Sequence, residues 1–185
     1  GILGAGDVSI AYSTIADNTA PGAVNIGAGA RLRIFGSVIG PPGQGDNSGE
    51  ANCRASTIVS SGYSVSTDSS CGLRAVGDAQ QHLLPLLGGL LANGGLGESR
   101  LPLTGSRIVD AIPQDKCPFV PFGSYREGDQ HLAASGVNPV APVVSDQRGA
   151  ARPYGPGCDV GSIERGQEPQ SSRLLRTKSK GPAWF

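Results

Sequence analysis

Apolar residues in the first part of the chain alternate with small or charged ones, in the period of two that is typical of β-strands. Residues 31–34 read Arg, Leu, Arg, Ile, which would place the apolar side chains on one face and the arginines on the other. The stretches between these segments are rich in Gly, Pro, Asn and Asp, residues that favour turns. The pattern predicts an all-β fold made of short strands.

The strand pattern also repeats. A shift of 24 residues superposes four positions of one segment on the next: Val8 on Leu32, Ile10 on Ile34, Ser13 on Ser37 and Ile15 on Ile39. A weaker third copy, residues 56–65, places Ile58 and Val59 about 20 residues after Val38 and Ile39. A period in the low twenties is typical of one coil of a parallel β-helix, a solenoid whose inward side chains stack coil over coil. An antiparallel sandwich is the alternative.

The four cysteines lack the close pairs that zinc sites use, so we expect no metal site. Two disulfides in an oxidising compartment are the favoured interpretation, and free thiols in a cytosolic protein are the alternative. Of the three possible pairings we take the two nearest in sequence, Cys53 with Cys71 and Cys117 with Cys158. A disulfide between neighbouring coils is compatible with the strand spacing of about 4.8 Å.

Charge and composition narrow the function. Fifteen basic residues balance fifteen acidic ones, so no electrostatic signature for nucleic acid is present. The longest uncharged run, residues 83–97, is too short to cross a bilayer, and we predict no transmembrane segment. The acidic residues of the coil region are Asp7, Asp17, Asp46, Glu50 and Asp68. They lie mostly at turns and form no dense cluster, so we predict no catalytic residue and no cofactor.

Five stretches together resemble the choice-of-anchor Q family of bacterial right-handed parallel β-helix surface proteins. They are "STIADNTA", "GYSVSTDSSCGLRAVGD", "LLPLLGGLLANGG", "SRIVDAIP" and "DQRGAARPYGPGCDVGSIE", and they cover roughly residues 8–164. The resemblance implies a right-handed single-stranded β-helix that is exported to the bacterial surface, and it supplies no catalytic residues. The chain departs from the family pattern at His82, Arg107 and Pro113, and in a long insert over residues 119–144.

The Gly- and Pro-rich residues 145–164, hereafter the closing segment, are too broken for a helix and too poor in β-branched residues for a core strand. We expect this irregular segment to seal the end of the solenoid, tied down by Cys158. Arg148 and Arg152 would donate to carbonyls of the segment and of the last coil, with Asp146 and Asp159 as partners. The alternative is that the two arginines bind a carboxylate or sulfate on an acidic polysaccharide.

These observations predict one domain, with coils over residues 1–78, a last coil and closing segment over 79–164, and a disordered basic tail over 165–185. Strand pattern is under way by Val8 without a capping element, so we expect further coils upstream of Gly1. The predicted function is that of an extracellular or cell-surface protein with a structural, adhesive or glycan-contacting role. Expected partners are surface glycans or other cell-surface proteins. The alternative is a pectin lyase-like enzyme, either a polysaccharide lyase or a glycoside hydrolase, acting on acidic polysaccharide.

Overall fold

The computed structural model describes residues 1–18, 24–40, 51–81, 87–117 and 142–166. Within these ranges the regular secondary structure is all-β, with eleven short strands and no helix. None of these segments forms a helix that is long and apolar enough to span a membrane. The strands in chain order are β1 (Ile2–Gly4), β2 (Val8–Ala11), β3 (Thr14–Ile15), β4 (Ile26–Phe35), β5 (Val38–Ile39), β6 (Cys53–Ser60), β7 (Val65–Ser66), β8 (Leu87–Leu91), β9 (Ser99–Pro102), β10 (Ile112–Pro113) and β11 (Gly157–Cys158).

The first seven strands form two parallel sheets. Strands β1 and β2 lie along one edge of β4, and β6 pairs with the other edge. The second sheet has the order β3-β5-β7. We call β1–β3, β4–β5 and β6–β7 the first, second and third repeats. The shift of 24 residues is confirmed by the register, which pairs Val8 with Leu32, Ile10 with Ile34 and Ile15 with Ile39.

The third copy was aligned wrongly. Ile58 pairs with Leu32 and Val59 with Arg33, two strand positions far from Val38, which pairs instead with Val65. The spacing lengthens because a register irregularity separates Ala28 from Arg31 in the β4–β6 pair, and the turn that follows β6 adds a residue.

The predicted fold class, a right-handed single-stranded parallel β-helix, is contradicted. A solenoid requires each repeat to stack on its neighbour over a continuous length. Here the β3-β5-β7 sheet has two residues per strand, and beyond β7 a single isolated bridge, Val65 to Ala79, extends it. The remaining described strands pair antiparallel, β8 with β9 and β10 with β11. The sheets are therefore small and of mixed direction.

Each repeat makes the same turn between its two strand groups. Tyr12, Gly36 and Tyr63 occupy equivalent positions with φ values of 45°, 53° and 55°. A serine follows each of them, and its hydroxyl donates to the carbonyl two residues earlier. The Ser37 hydroxyl also accepts from the Ser13 N–H at 3.2 Å. This local bond compensates for a left-handed conformation that is costly for the two tyrosines.

Two apolar clusters lie on opposite faces of the parallel sheets, because successive side chains of a strand alternate in direction. The first is the predicted core, and its buried members include Ile10, Ile26, Leu32, Ile34 and Ile39. The second begins with Phe35 and Val38, one residue away from core positions, and is completed by Ile108, Ile112 and Val160 from the second half of the chain. The C-terminal half therefore packs against the side of the repeats.

Candidate functional site

The closing segment crosses the side of the repeats rather than the end of a solenoid. Its Gly161 N–H donates to the Gly36 carbonyl at 2.8 Å, and the Ser162 N–H donates to Thr14 Oγ1 at 3.1 Å. Gly161 has a φ of 102°, and a Cβ there would lie 2.7 Å from Thr14 Oγ1. Only glycine permits this approach, so the glycine content of the segment serves its contact with the first two repeats.

Asp146 organises the start of the closing segment. Its Oδ1 accepts from the N–H groups of Arg148 and Ala150, at 2.7 and 3.0 Å. Its Oδ2 accepts from Arg148 Nε and Nη2 and from the Glu164 N–H. Arg148 Nη2 also donates to the Glu164 carbonyl at 2.7 Å. The carboxylate thus ties the beginning of the segment to its end, with both charged side chains buried.

Arg152 lies between an aromatic ring and a carboxylate. Its guanidinium carbon is 4.6 Å from the centroid of the Tyr12 ring, in the geometry of a cation–π contact. Its Nη1 lies 3.5 Å from Glu164 Oε2 and donates to the Asp159 carbonyl at 2.8 Å. Its Nη2 donates to the Gly161 carbonyl at 3.1 Å. Arg152 therefore joins the closing segment to the first repeat.

Asp159 and Glu164 accept from backbone N–H groups around them. Asp159 Oδ1 accepts from the Asp110 N–H at 2.7 Å and Oδ2 accepts from the Arg165 N–H at 2.6 Å. Glu164 accepts from the N–H groups of Tyr154 and Asp159. The predicted site residues Asp146, Arg148, Arg152 and Asp159 are thus part of one buried network, to which the sequence analysis did not assign Glu164 or Tyr12.

Burial dominates the electrostatics of this network. It raises the pKa of Glu164 to about 7, although the Tyr154 N–H and the charge of Arg152 act in the opposite direction. It also raises the pKa of Asp159 and lowers that of Arg152. The pKa of Tyr12 rises to about 12 for the same reason. The network therefore holds its charges at a desolvation cost that internal hydrogen bonds offset.

The polysaccharide interpretation of the two arginines does not fit this geometry. Arg148 and Arg152 are 8% and 4% exposed, and their terminal nitrogens already donate to carboxylates and carbonyls of the protein. An external carboxylate or sulfate would have to displace those acceptors. The two arginines hold the closing segment together, and they face acceptors in the segment itself rather than in the third repeat.

Both disulfides are present with the predicted pairing, and no cysteine is free. Cys53 and Cys71 have Cα atoms 4.8 Å apart and lie in the first apolar cluster, joining the start of β6 to the turn after β7. Cys117 and Cys158 have Cα atoms 5.8 Å apart and lie in the second cluster. Cys158 also belongs to β11, which pairs with β10. One disulfide therefore serves the repeats and the other serves the closing segment.

The acidic residues considered for catalysis are dispersed. Asp7 lies 3.9 Å from Arg31, Asp17 pairs with Arg100, and Asp68 accepts from the Asn52 and Ser70 N–H groups. Asp46 and Glu50 lie outside the described residues, as do His82, the 119–141 part of the insert and the tail beyond residue 166. Among the described residues, no group of three or more His, Cys, Asp or Glu side chains is arranged to hold a metal ion.

A polar groove that the sequence analysis missed lies beside the closing segment. It has a volume of about 260 Å³ and is open on one side. Three distant parts of the chain line it: the end of the first repeat, the β8–β9 hairpin and the closing segment. The lining residues are Thr14, Ala16, Asp17, Leu90, Glu98, Ser99, Arg100, Gln147 and Ser162. No local motif signals this groove, because residues up to 148 positions apart create it.

No protein-family model, characterised protein or solved structure matches this chain. The resemblance to choice-of-anchor Q proteins therefore stays a prediction, and the functional argument depends on the geometry described above.

Proposed function

We propose that this chain is a non-catalytic structural or adhesive domain of a protein that is exported to an extracellular or cell-surface location. The observation that carries the proposal is the pair of disulfides, which uses all four cysteines and joins both halves of the molecule. Disulfides persist in oxidising compartments and are rare in reducing ones. The resemblance to bacterial surface proteins is consistent with that location.

The arrangement of charged groups supports a structural role over catalysis. The buried carboxylates Asp146, Asp159 and Glu164 accept from backbone N–H groups of the same segment, so they have no open side toward a substrate. A polysaccharide lyase needs a calcium site with six to eight oxygen ligands, and a hydrolase needs two accessible carboxyl groups facing each other across the substrate. The described residues provide neither arrangement.

Incubation with polygalacturonate and with alginate, with and without calcium, tests the proposal. We expect no unsaturated or reducing ends above the level given by heat-denatured protein. Release of such ends would contradict the structural role and support the alternative of a carbohydrate-active enzyme. In parallel, thiol titration of the protein purified from a secretory host should find no reactive thiol until it is unfolded and reduced. Four titratable thiols would contradict the exported location.

A further inference from the structure

We propose that the polar groove binds a single neutral or amino-bearing sugar ring, such as the terminal unit of a glycan. This inference rests on the proposed function, for which it names the ligand class and the site. The groove is made by the first repeat, the β8–β9 hairpin and the closing segment together. It therefore exists only when the closing segment is docked, and the rigidity of that segment preorganises it.

Polar groups in the groove fall into two classes. Some are occupied within the protein: Thr14 Oγ1 accepts from the Ser162 N–H, and Arg100 pairs with Asp17 and donates to the Gly88 carbonyl. The side chains of Glu98 and Gln147 are exposed at the groove and have no hydrogen-bond partner among the described residues. A carboxylate and an amide thus remain for a ligand, held over a floor whose own polar groups are already satisfied.

This combination suits a sugar ring. Planar carboxylate and amide groups present two atoms side by side, so each can bond two neighbouring hydroxyls of a pyranose. Leu90 and Ala16 supply an apolar surface for the C–H face of the ring. The volume of about 260 Å³ lies below the range that is usual for drug-sized ligands, so the groove fits one ring rather than a chain segment.

The charge of the groove selects among sugars. Asp17 and Arg100 neutralise each other, which leaves the Glu98 carboxylate as the net charge of the lining. A uronate or sulfated sugar would place a second anion beside Glu98 and would be disfavoured. A neutral sugar meets no such penalty, and an amino sugar gains an ion pair. Weak, millimolar binding is expected because the groove is shallow and has no aromatic platform among the described lining residues.

Amide NMR titration of the intact, disulfide-bonded protein tests the proposal, with D-galactose, D-glucosamine and D-galacturonate as probes. We expect galactose and glucosamine to shift the amide signals of Glu98, Ser99, Gln147 and Ser162, and galacturonate to leave them in place. Gln147→Ala should weaken both sugars about fivefold, the equivalent of one hydrogen bond. Glu98→Gln should remove the preference for glucosamine over galactose and admit galacturonate.

Gln114→Ala is the matched control, since Gln114 is an exposed glutamine that donates to the Gly155 carbonyl outside the groove. It should bind the sugars as the parent protein does. Preserved signal dispersion in each variant shows that the fold is intact. The inference is overturned if no sugar shifts the groove signals, if galacturonate binds as well as galactose, or if the shifts lie on the outward arginines Arg31, Arg33 and Arg54. Monosaccharides offer no bond to cleave, so this result is independent of the polysaccharide assay that tests the proposed function.

Discussion

The repeats and the closing segment achieve order by opposite means. The repeats bury aliphatic side chains such as Leu32, Ile34 and Ile39 between parallel strands, and backbone pairing satisfies most of their polar groups. The closing segment has almost no regular structure, and it buries charged side chains whose hydrogen bonds replace a sheet ladder. A chain without strands can therefore be as buried as a sheet if its own side chains satisfy its backbone.

The comparison shows where single residues matter most. In the repeats, a lost methyl group removes packing that many neighbours share. In the closing segment, one carboxylate serves up to five donors, so the removal of one side chain leaves several buried groups unpaired. We expect the closing segment to respond to polar substitutions as strongly as the repeats respond to apolar ones.

Asp146→Ala should have the largest effect, about 5 kcal/mol of lost stability, because it leaves a buried arginine and three backbone N–H groups unpaired. Leu32→Ala in the repeats should cost about 3 kcal/mol through the cavity it creates. Urea unfolding followed by circular dichroism measures both. A cost for Asp146→Ala below that of an exposed substitution such as Asp115→Ala would show that the network does not stabilise the fold.

Opening the disulfides one at a time separates the two regions. Cys117→Ser with Cys158→Ser should cost about 4 kcal/mol, and Cys53→Ser with Cys71→Ser about 3 kcal/mol, since the closed loops span 41 and 18 residues. The first pair should also permit rapid proteolysis within residues 145–164 and increase dye binding, while the repeats stay folded. Mass spectrometry of the fragments identifies the cuts. First cuts inside β4 or β6 in that variant would argue against an independent role of the closing segment.

The pH dependence of stability should belong to the closing segment. Because burial raises the folded-state pKa of Glu164 from 4.5 to about 7, the folded state favours the protonated carboxyl. Its contribution is complete below about pH 4.5 and is lost as the pH rises through about 7, a difference of about 3 kcal/mol. Asp159, whose pKa is also raised by burial, acts in the same direction.

Glu164→Gln should therefore remove most of this dependence, measured as the difference in unfolding free energy between the variant and the parent from about pH 4.5 to about pH 8. Asp115→Asn, at an exposed carboxylate beside Lys116, is the control and should leave the profile unchanged. An identical pH profile in Glu164→Gln and the parent protein would mean that Glu164 does not titrate in this range.

The smallest effect is expected at the turns of the repeats. Ser37→Ala removes a buried hydroxyl that donates to the Phe35 carbonyl and accepts from the Ser13 N–H, and should cost about 1 kcal/mol. Ser13→Ala, at a partly buried position whose hydroxyl donates to the Ala11 carbonyl, should cost less. Thermal unfolding compares the two. Equal costs would indicate that the bond between repeats contributes nothing beyond the local turn.

The sequence predicted those features that have a local or periodic signal. Alternation identified Leu32 and Ile34 as core residues, and the spacing of 24 residues predicted their partners in the first repeat. Proximity along the chain predicted the pairing of the cysteines. The fold class failed because two matching segments do not determine how many repeats follow, and the spacing changes at the third.

Other features had no signal of that kind. Phe35 occupies the outward phase of β4, and only Ile108 and Val160, far along the chain, make that face a second core. Glu164 looked like an ordinary exposed carboxylate at the end of a glycine-rich stretch, and its burial depends on Arg152 and on contacts with the first repeat. Such features arise from tertiary contacts, which a period along the chain does not record.

The contact between Ser162 and Thr14 also sets the order of events during biosynthesis. The two residues are 148 positions apart, so at ordinary rates of translation roughly 7 to 30 s separate their synthesis. Throughout that interval Tyr12, Phe35 and Val38 have no closing segment to cover them, although their strands have already emerged from the ribosome. The nascent chain therefore carries an uncovered apolar face until nearly the last described residue is made. A holding chaperone, or passage through the export channel in an unfolded state, would protect it during that time.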